Sequence, residues 1–148
     1  MIKTINFIRS EVMKKFLLMA LLLLSAVACW AGDYNYTSAA DLKQMIESKE
    51  DFILIDIQVE DEFSQHHIDG ALATYAYPVK SDADKAKLAG MMVSVMETEK
   101  PVVIVCPRGG GGAKRTYEFF EGQGVDSGRL SILEGGQQKW PYAQLLAK

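Results

Sequence analysis

One stretch concentrates the reactive chemistry of this 148-residue chain: Val105-Cys106-Pro107-Arg108, then four successive glycines, Gly109, Gly110, Gly111 and Gly112, then Ala113-Lys114-Arg115. The thiol closes an apolar run. Glycines lack the Cβ that blocks close approach, so the consecutive N–H groups of Arg108 to Ala113 can turn toward one point. Continued by a helix N-terminus, such a ring of donors holds a sulfur anion or an oxyanion and favours the thiolate of Cys106 over the thiol. Cys106 is therefore expected to act as a nucleophile, with the amides cradling a terminal persulfide sulfur or an incoming oxyanion. Arg108, Lys114 and Arg115 bring positive charge to an otherwise acidic domain, which favours an anionic substrate.

Two other readings of the glycines are weaker. A flexible linker rarely separates a buried strand from a helix in a small domain. A nucleotide-binding P-loop needs G-x-x-x-x-G-K-[ST], whereas Lys114 is followed by Arg115 and the thiol would have no role. His66 and His67 are adjacent, so their side chains diverge and no third ligand is evident; no metal and no cofactor is expected. Asp56, at a strand end, is assigned to bracing the neighbouring loop, as is His67, and Trp140 to the core or a pocket wall.

The elements that position Cys106 alternate between strand and helix. Ser38 caps a helix carrying Leu42, Met45 and Ile46 and ending near Ser48. Phe52 to Ile57 reads as a strand buried on both faces. A short helix is expected over Asp61 to His66, then an extended stretch from Gly70 to Pro78. Asp82 to Met96 reads as the longest helix, with Leu88, Met91, Met92, Val95 and Met96 on its apolar side. Pro101 to Val105 is a second apolar strand, Lys114 to Gly122 a helix, Leu130 to Leu133 a strand, and Gln137 to Leu146 a broken terminal helix. This alternation implies a three-layer α/β/α single domain around a parallel sheet, with Cys106 at the carboxyl end of a strand, where ligands of such sheets sit.

Residues 1–31 read differently. Met13-Lys14-Lys15 is a positive lead, and Phe16 to Ala28 is an apolar run of secretory length, shorter than a comfortable membrane span. Met13 is the expected start and the twelve residues before it an extension. Ala26-Val27-Ala28 and Cys29-Trp30-Ala31 both offer cleavage sites, leaving residues 32–148 as an exported, periplasmic or extracytoplasmic domain. Lipid anchoring through Cys29 and an uncleaved anchor are the alternatives. A buried core helix is excluded because no polar face interrupts the run.

The whole chain carries a formal charge of −3, and without its first 31 residues twelve Lys/Arg face eighteen Asp/Glu, about −6. That excludes nucleic acid and an anionic membrane surface as partners of the domain. It also leaves Cys106 as the lone thiol, inert or reactive but not part of an internal disulfide.

Three segments resemble the rhodanese-like domain of single-domain sulfurtransferases. Leu54-Ile55-Asp56-Ile57-Gln58 through Glu62-Phe63, with His67-Ile68-Asp69-Gly70-Ala71, resembles the opening motif. Val103-Ile104-Val105-Cys106 resembles the strand leading to the catalytic cysteine, and Leu133-Glu134-Gly135-Gly136 with Trp140 resembles the closing motif. Together they span roughly residues 40–145. The resemblance implies double displacement: Cys106 takes sulfur from a thiosulfate- or polysulfide-type donor and passes it to a thiol, cyanide or a protein acceptor. It also implies a rhodanese-like fold, with Pro107 to Arg115 as the substrate loop and Asp56, Gln58 and His67 supporting it.

Two departures bear on this. Gln58 stands where the family has Arg, retaining hydrogen bonding without charge. Gly111, or Gly112 with one insertion, stands where an arginine closes the family's loop, which weakens side-chain clamping of an oxyanion. Lys114 or Arg115 can substitute only if they point into the loop. A phosphatase or arsenate reductase of the same fold and a non-catalytic binding module are the other readings.

Overall fold

The structure is a computed structural model that describes residues 33–148. The expectations for Met13, the apolar run and Cys29 lie outside those residues. Five parallel strands, β1 (Tyr36–Thr37), β2 (Ile53–Asp56), β4 (Leu72–Ala73), β5 (Val102–Val105) and β6 (Leu130–Leu133), form a sheet in the order β1-β6-β5-β2-β4. A second, antiparallel pair joins β3 (His67–Ile68) to β7 (Leu146–Ala147). The helices are α1 (Ala39–Glu47), α2 (Glu60–Gln65), α3 (Asp82–Ala89), α4 (Met92–Met96) and α5 (Gly111–Gly122). This is the expected α/β class with a central parallel sheet.

The three central strands, β2, β5 and β6, have apolar residues on both faces because both faces are covered. Side chains alternate across a strand. Ile53, Ile55, Val102, Ile104 and Cys106 therefore pack with Leu88, Val95, Ala113 and Phe120 of α3, α4 and α5, whereas Leu54, Val103 and Val105 pack with Leu42 of α1, Ile68 and Trp140. Cys106 thus continues the alternation of β5 and lies on the α5 side of the sheet.

Ser38 caps α1 through the Asp41 amide, and Ser48 closes it. Three helices depart from the sequence-based expectation. The segment Asp82 to Met96 is two helices, not one. A capping box between Ser81 and Asp84 sets its start, and α3 stops at Gly90, whose presence costs a helix interior roughly 1 kcal/mol. The Met91 amide donates to the Leu88 carbonyl, one residue short of the α-helical partner, and α4 then begins again at Met92.

α5 opens at Gly111, three residues before the expected Lys114. Propensity argues against a glycine start, but Gly112 lies against the Tyr77 ring and Ile57, and Ala113 is buried; only small residues fit there. The expected terminal helix is instead two single turns, Gln137–Lys139 and Ala143–Leu145, followed by β7. Pro141, with no amide to donate, interrupts it.

Candidate active site

β2, β5 and β6 are parallel neighbours, so the loops after Asp56, Val105 and Leu133 converge at one edge of the sheet. Cys106 follows β5 directly and is 1% exposed. From there the chain reaches Gly110, the residue that caps α5, in four steps. Among the described residues, no amide from Arg108 to Ala113 donates to a backbone carbonyl. The first amides of a helix have no partner within it, so α5 extends the loop's donors with its own.

The loop is held from β6. Gln137 N donates to the Cys106 carbonyl at 2.9 Å and Gln138 N to the Pro107 carbonyl at 3.0 Å. This approach requires glycine: at Gly136, with φ +61°, a Cβ would lie 2.1 Å from the Cys106 oxygen. Gly109, with φ +65°, meets the same segment from the other side, its Cβ position 2.7 Å from the Gly135 nitrogen. The two loops interlock through their main chains.

Arg115 reaches back over the loop from one turn into α5. Its Nε donates to the carbonyls of Pro78 and Val79 at 3.1 and 3.0 Å, and its Nη2 to Pro78 at 2.7 Å. Nη1 lies 3.0 Å from where a Cβ of Gly111 would stand. The guanidinium therefore occupies space that any side chain at position 111 would contest. Arg108 Nη2 donates to the Tyr77 hydroxyl at 3.2 Å, placing a second guanidinium at the rim.

Together these groups enclose a cleft of about 250 Å³. Its walls include Cys106, Arg108, Gly110, Gly111, Gly112 and Arg115 from the expected loop. Tyr77, Pro78 and Lys80 complete it from the segment before α3. The remaining loop residues are elsewhere: Pro107 is buried, Gly109 packs on Gly135, and Ala113 is in the core. Lys114 Nζ sits 5.0 Å from the centre of the Tyr34 ring, away from the cleft.

Asp56 is fully buried beside this loop, in register with Val105. Its carboxylate accepts from Gln58 N and Gln58 Nε2, both at 2.8 Å, and its carbonyl accepts from Thr74. Burial raises its pKa to about 6, opposed by the two Gln58 hydrogen bonds. Gln58, itself buried, supplies donors but no charge. His67 stacks on Phe63, its Nδ1 2.9 Å from the Phe63 carbonyl, and pairs with β7. It braces the α2–β3 corner and does not line the cleft. No group of three His, Cys, Asp or Glu among the described residues is arranged to hold a metal.

Tyr77, Pro78 and Lys80 carried no signal of their own in the sequence, being a loop between a weak strand and α3. The Gly135-Gly136 pair did carry one: two glycines after a strand adjacent to β5 must lie beside the cysteine loop.

A parallel α/β domain with a cysteine at a strand end, followed by a run of amides without backbone acceptors, is the class that fold and site define. The sequence model of the rhodanese-like domain matches residues 38–143, and the chain belongs to that family. No curated protein matches the sequence. Similar solved structures include the rhodanese-like domain protein of Staphylococcus aureus, with 21% identity over 75% of this chain and 95% of that one and a TM-score of 0.57. The As-Sb reductase of Leishmania major has 16% identity over 77% and 85% and a TM-score of 0.59. A Rhodopseudomonas palustris protein described as a possible tyrosine phosphatase has 17% identity over 72% and 79% and a TM-score of 0.55. At these identities the likeness is one of fold.

Proposed function

We propose that the domain is a sulfurtransferase or sulfur carrier working through a persulfide on Cys106. The Cys106 thiolate attacks the outer sulfur of a donor such as thiosulfate; the new S–S bond forms as the old one breaks, and sulfite leaves with the electron pair. An acceptor thiolate or cyanide then attacks the outer persulfide sulfur, taking it as a persulfide or thiocyanate and returning the Cys106 thiolate. The observation that carries this reading is the run of amides without acceptors between Arg108 and Ala113, since it stabilises a sulfur anion without any particular side chain. Arg115, over Gly111, and Arg108 at the rim bring positive charge to the cleft and favour an anionic donor.

The test is mass spectrometry after exposure to thiosulfate or polysulfide. One added sulfur, removed by cyanide and absent in Cys106→Ser, is expected; no added sulfur with any donor refutes the reading. The position of Arg115 also gives ground for the second reading, a phosphatase or arsenate reductase, because a guanidinium beside a cysteine loop is what oxyanion capture requires. Turnover of p-nitrophenyl phosphate or arsenate, lost in Cys106→Ser, would favour it. Binding of a partner unchanged by Cys106→Ala would favour the non-catalytic module. Export to the periplasm, by a leader before residue 32, is the compartment we propose for this chemistry.

A further inference from the structure

The Cys106 cleft does not stand alone. A second cleft, of about 440 Å³, lies beside it, and Lys80 and Arg115 belong to the walls of both. Lys85 of α3 and the half-buried Phe119 of α5 face only the outer cleft. Lys80, Lys85 and Arg115 make no ion pair with a carboxylate among the described residues. One carboxylate, Glu118, also lines the outer cleft, and it is engaged by the Tyr34 hydroxyl. Three cations against one partnered anion is the reverse of the charge balance of the chain as a whole.

The outer cleft is too large and too far along α5 to serve a small inorganic donor, for which the inner cleft has room. An acceptor has a different requirement. Cys106 is nearly buried, and a persulfide sets the reacting sulfur about 2 Å beyond it, in a cleft whose walls include Lys80 and Arg115. An acceptor thiolate that comes in over these two residues leaves whatever is attached to it in the outer cleft, whose walls they also form.

We propose that the outer cleft binds the anionic tail of a small thiol acceptor, one bearing two or more carboxylates or a phosphate, with Lys85 as the residue that selects for the tail. The inference rests on the sulfur-transfer reading and names the acceptor class for it.

The test compares discharge of persulfidated protein by mercaptosuccinate, a dicarboxylate thiol, and by neutral 2-mercaptoethanol. Lys85→Gln should slow discharge by mercaptosuccinate about fivefold while leaving 2-mercaptoethanol discharge and sulfur loading unchanged. An equal effect on both thiols, or none on either, overturns the proposal. A second arm needs no persulfide: an amide-resolved NMR titration of Cys106→Ser with (methylthio)succinate, which has no thiol. Shifts at Lys85, Phe119 and Gln123, weakened by Lys85→Gln, are expected; their absence overturns the proposal. Shifts in a protein that never takes up sulfur would uphold the anion site and refute the sulfur-transfer reading alone.

Discussion

Replacing Asp56 by Asn should change how stability depends on pH in a way that its burial dictates. The Asp56 pKa is about 6 in the fold against 3.8 for an exposed carboxyl. A raised carboxyl pKa means the folded state holds its proton more tightly than the unfolded one. Stability from this group is therefore fully present below pH 3.8 and is lost as pH rises through 6. Two pK units correspond to about 3 kcal/mol, an order-of-magnitude figure for the cost of keeping this carboxylate charged without a cation beside it. Asp56→Asn removes the charge and can still accept from Gln58 N, so the variant should gain on the parent by about 2 kcal/mol between pH 4.5 and pH 8, the rest of the loss falling below pH 4.5. Urea unfolding at pH 4.5, 6 and 8 measures it; titration of other carboxylates cancels in the difference between the two proteins. Gln58→Arg supplies the missing cation, lowers the Asp56 pKa, and should abolish the same loss. If the stability difference between Asp56→Asn and the parent stays constant from pH 4.5 to 8, the account of Asp56 is wrong.

Other perturbations test the site's construction. Gly136→Ala drives a methyl into the Cys106 carbonyl at a positive φ and should cost about 3 kcal/mol or more; a melting temperature within about 2 °C of the parent would contradict the interlocked loops. Arg115→Ala should raise KM for thiosulfate about tenfold, with Arg115→Lys recovering part of it, since a point charge replaces the fork that grips Pro78 and Val79. Gly111→Ala should fold at least as stably, being at a helix start, yet weaken thiosulfate recognition by shifting the Arg115 guanidinium, as steady-state kinetics would read. Cys106→Ser should lose all sulfur uptake while its urea midpoint remains near the parent's.

The sheet was legible because its central strands are short apolar runs, and Leu130–Leu133 falls within the bounds its pattern gives. The position of Cys106 followed from the same pattern. What sequence could not reach depends on contacts between distant segments. The start of α5 at Gly111 is set by Tyr77 and Ile57 pressing on Gly112, against its local propensity. The break at Gly90 lay inside a periodic run of apolar residues that concealed it. Arg115 could be named as a candidate, but its path back over Gly111 depends on the carbonyls of Pro78 and Val79, some 36 residues away in the chain. Lys114, one position earlier, points instead to Tyr34, which shows how a single step around a helix separates two equally basic neighbours.

The five-stranded sheet ends on both sides in strands of two residues, β1 and β4. An edge that short presents too few free amides and carbonyls to template the pairing of another chain, even though Tyr36 and Leu72 leave apolar surface there. The domain keeps its most β-prone segments, Ile53–Asp56 and Val102–Val105, in the interior of the sheet, so protection against aggregation depends on those strands staying paired. Destabilising the loops at their ends would thus be felt as loss of solubility as well as loss of chemistry.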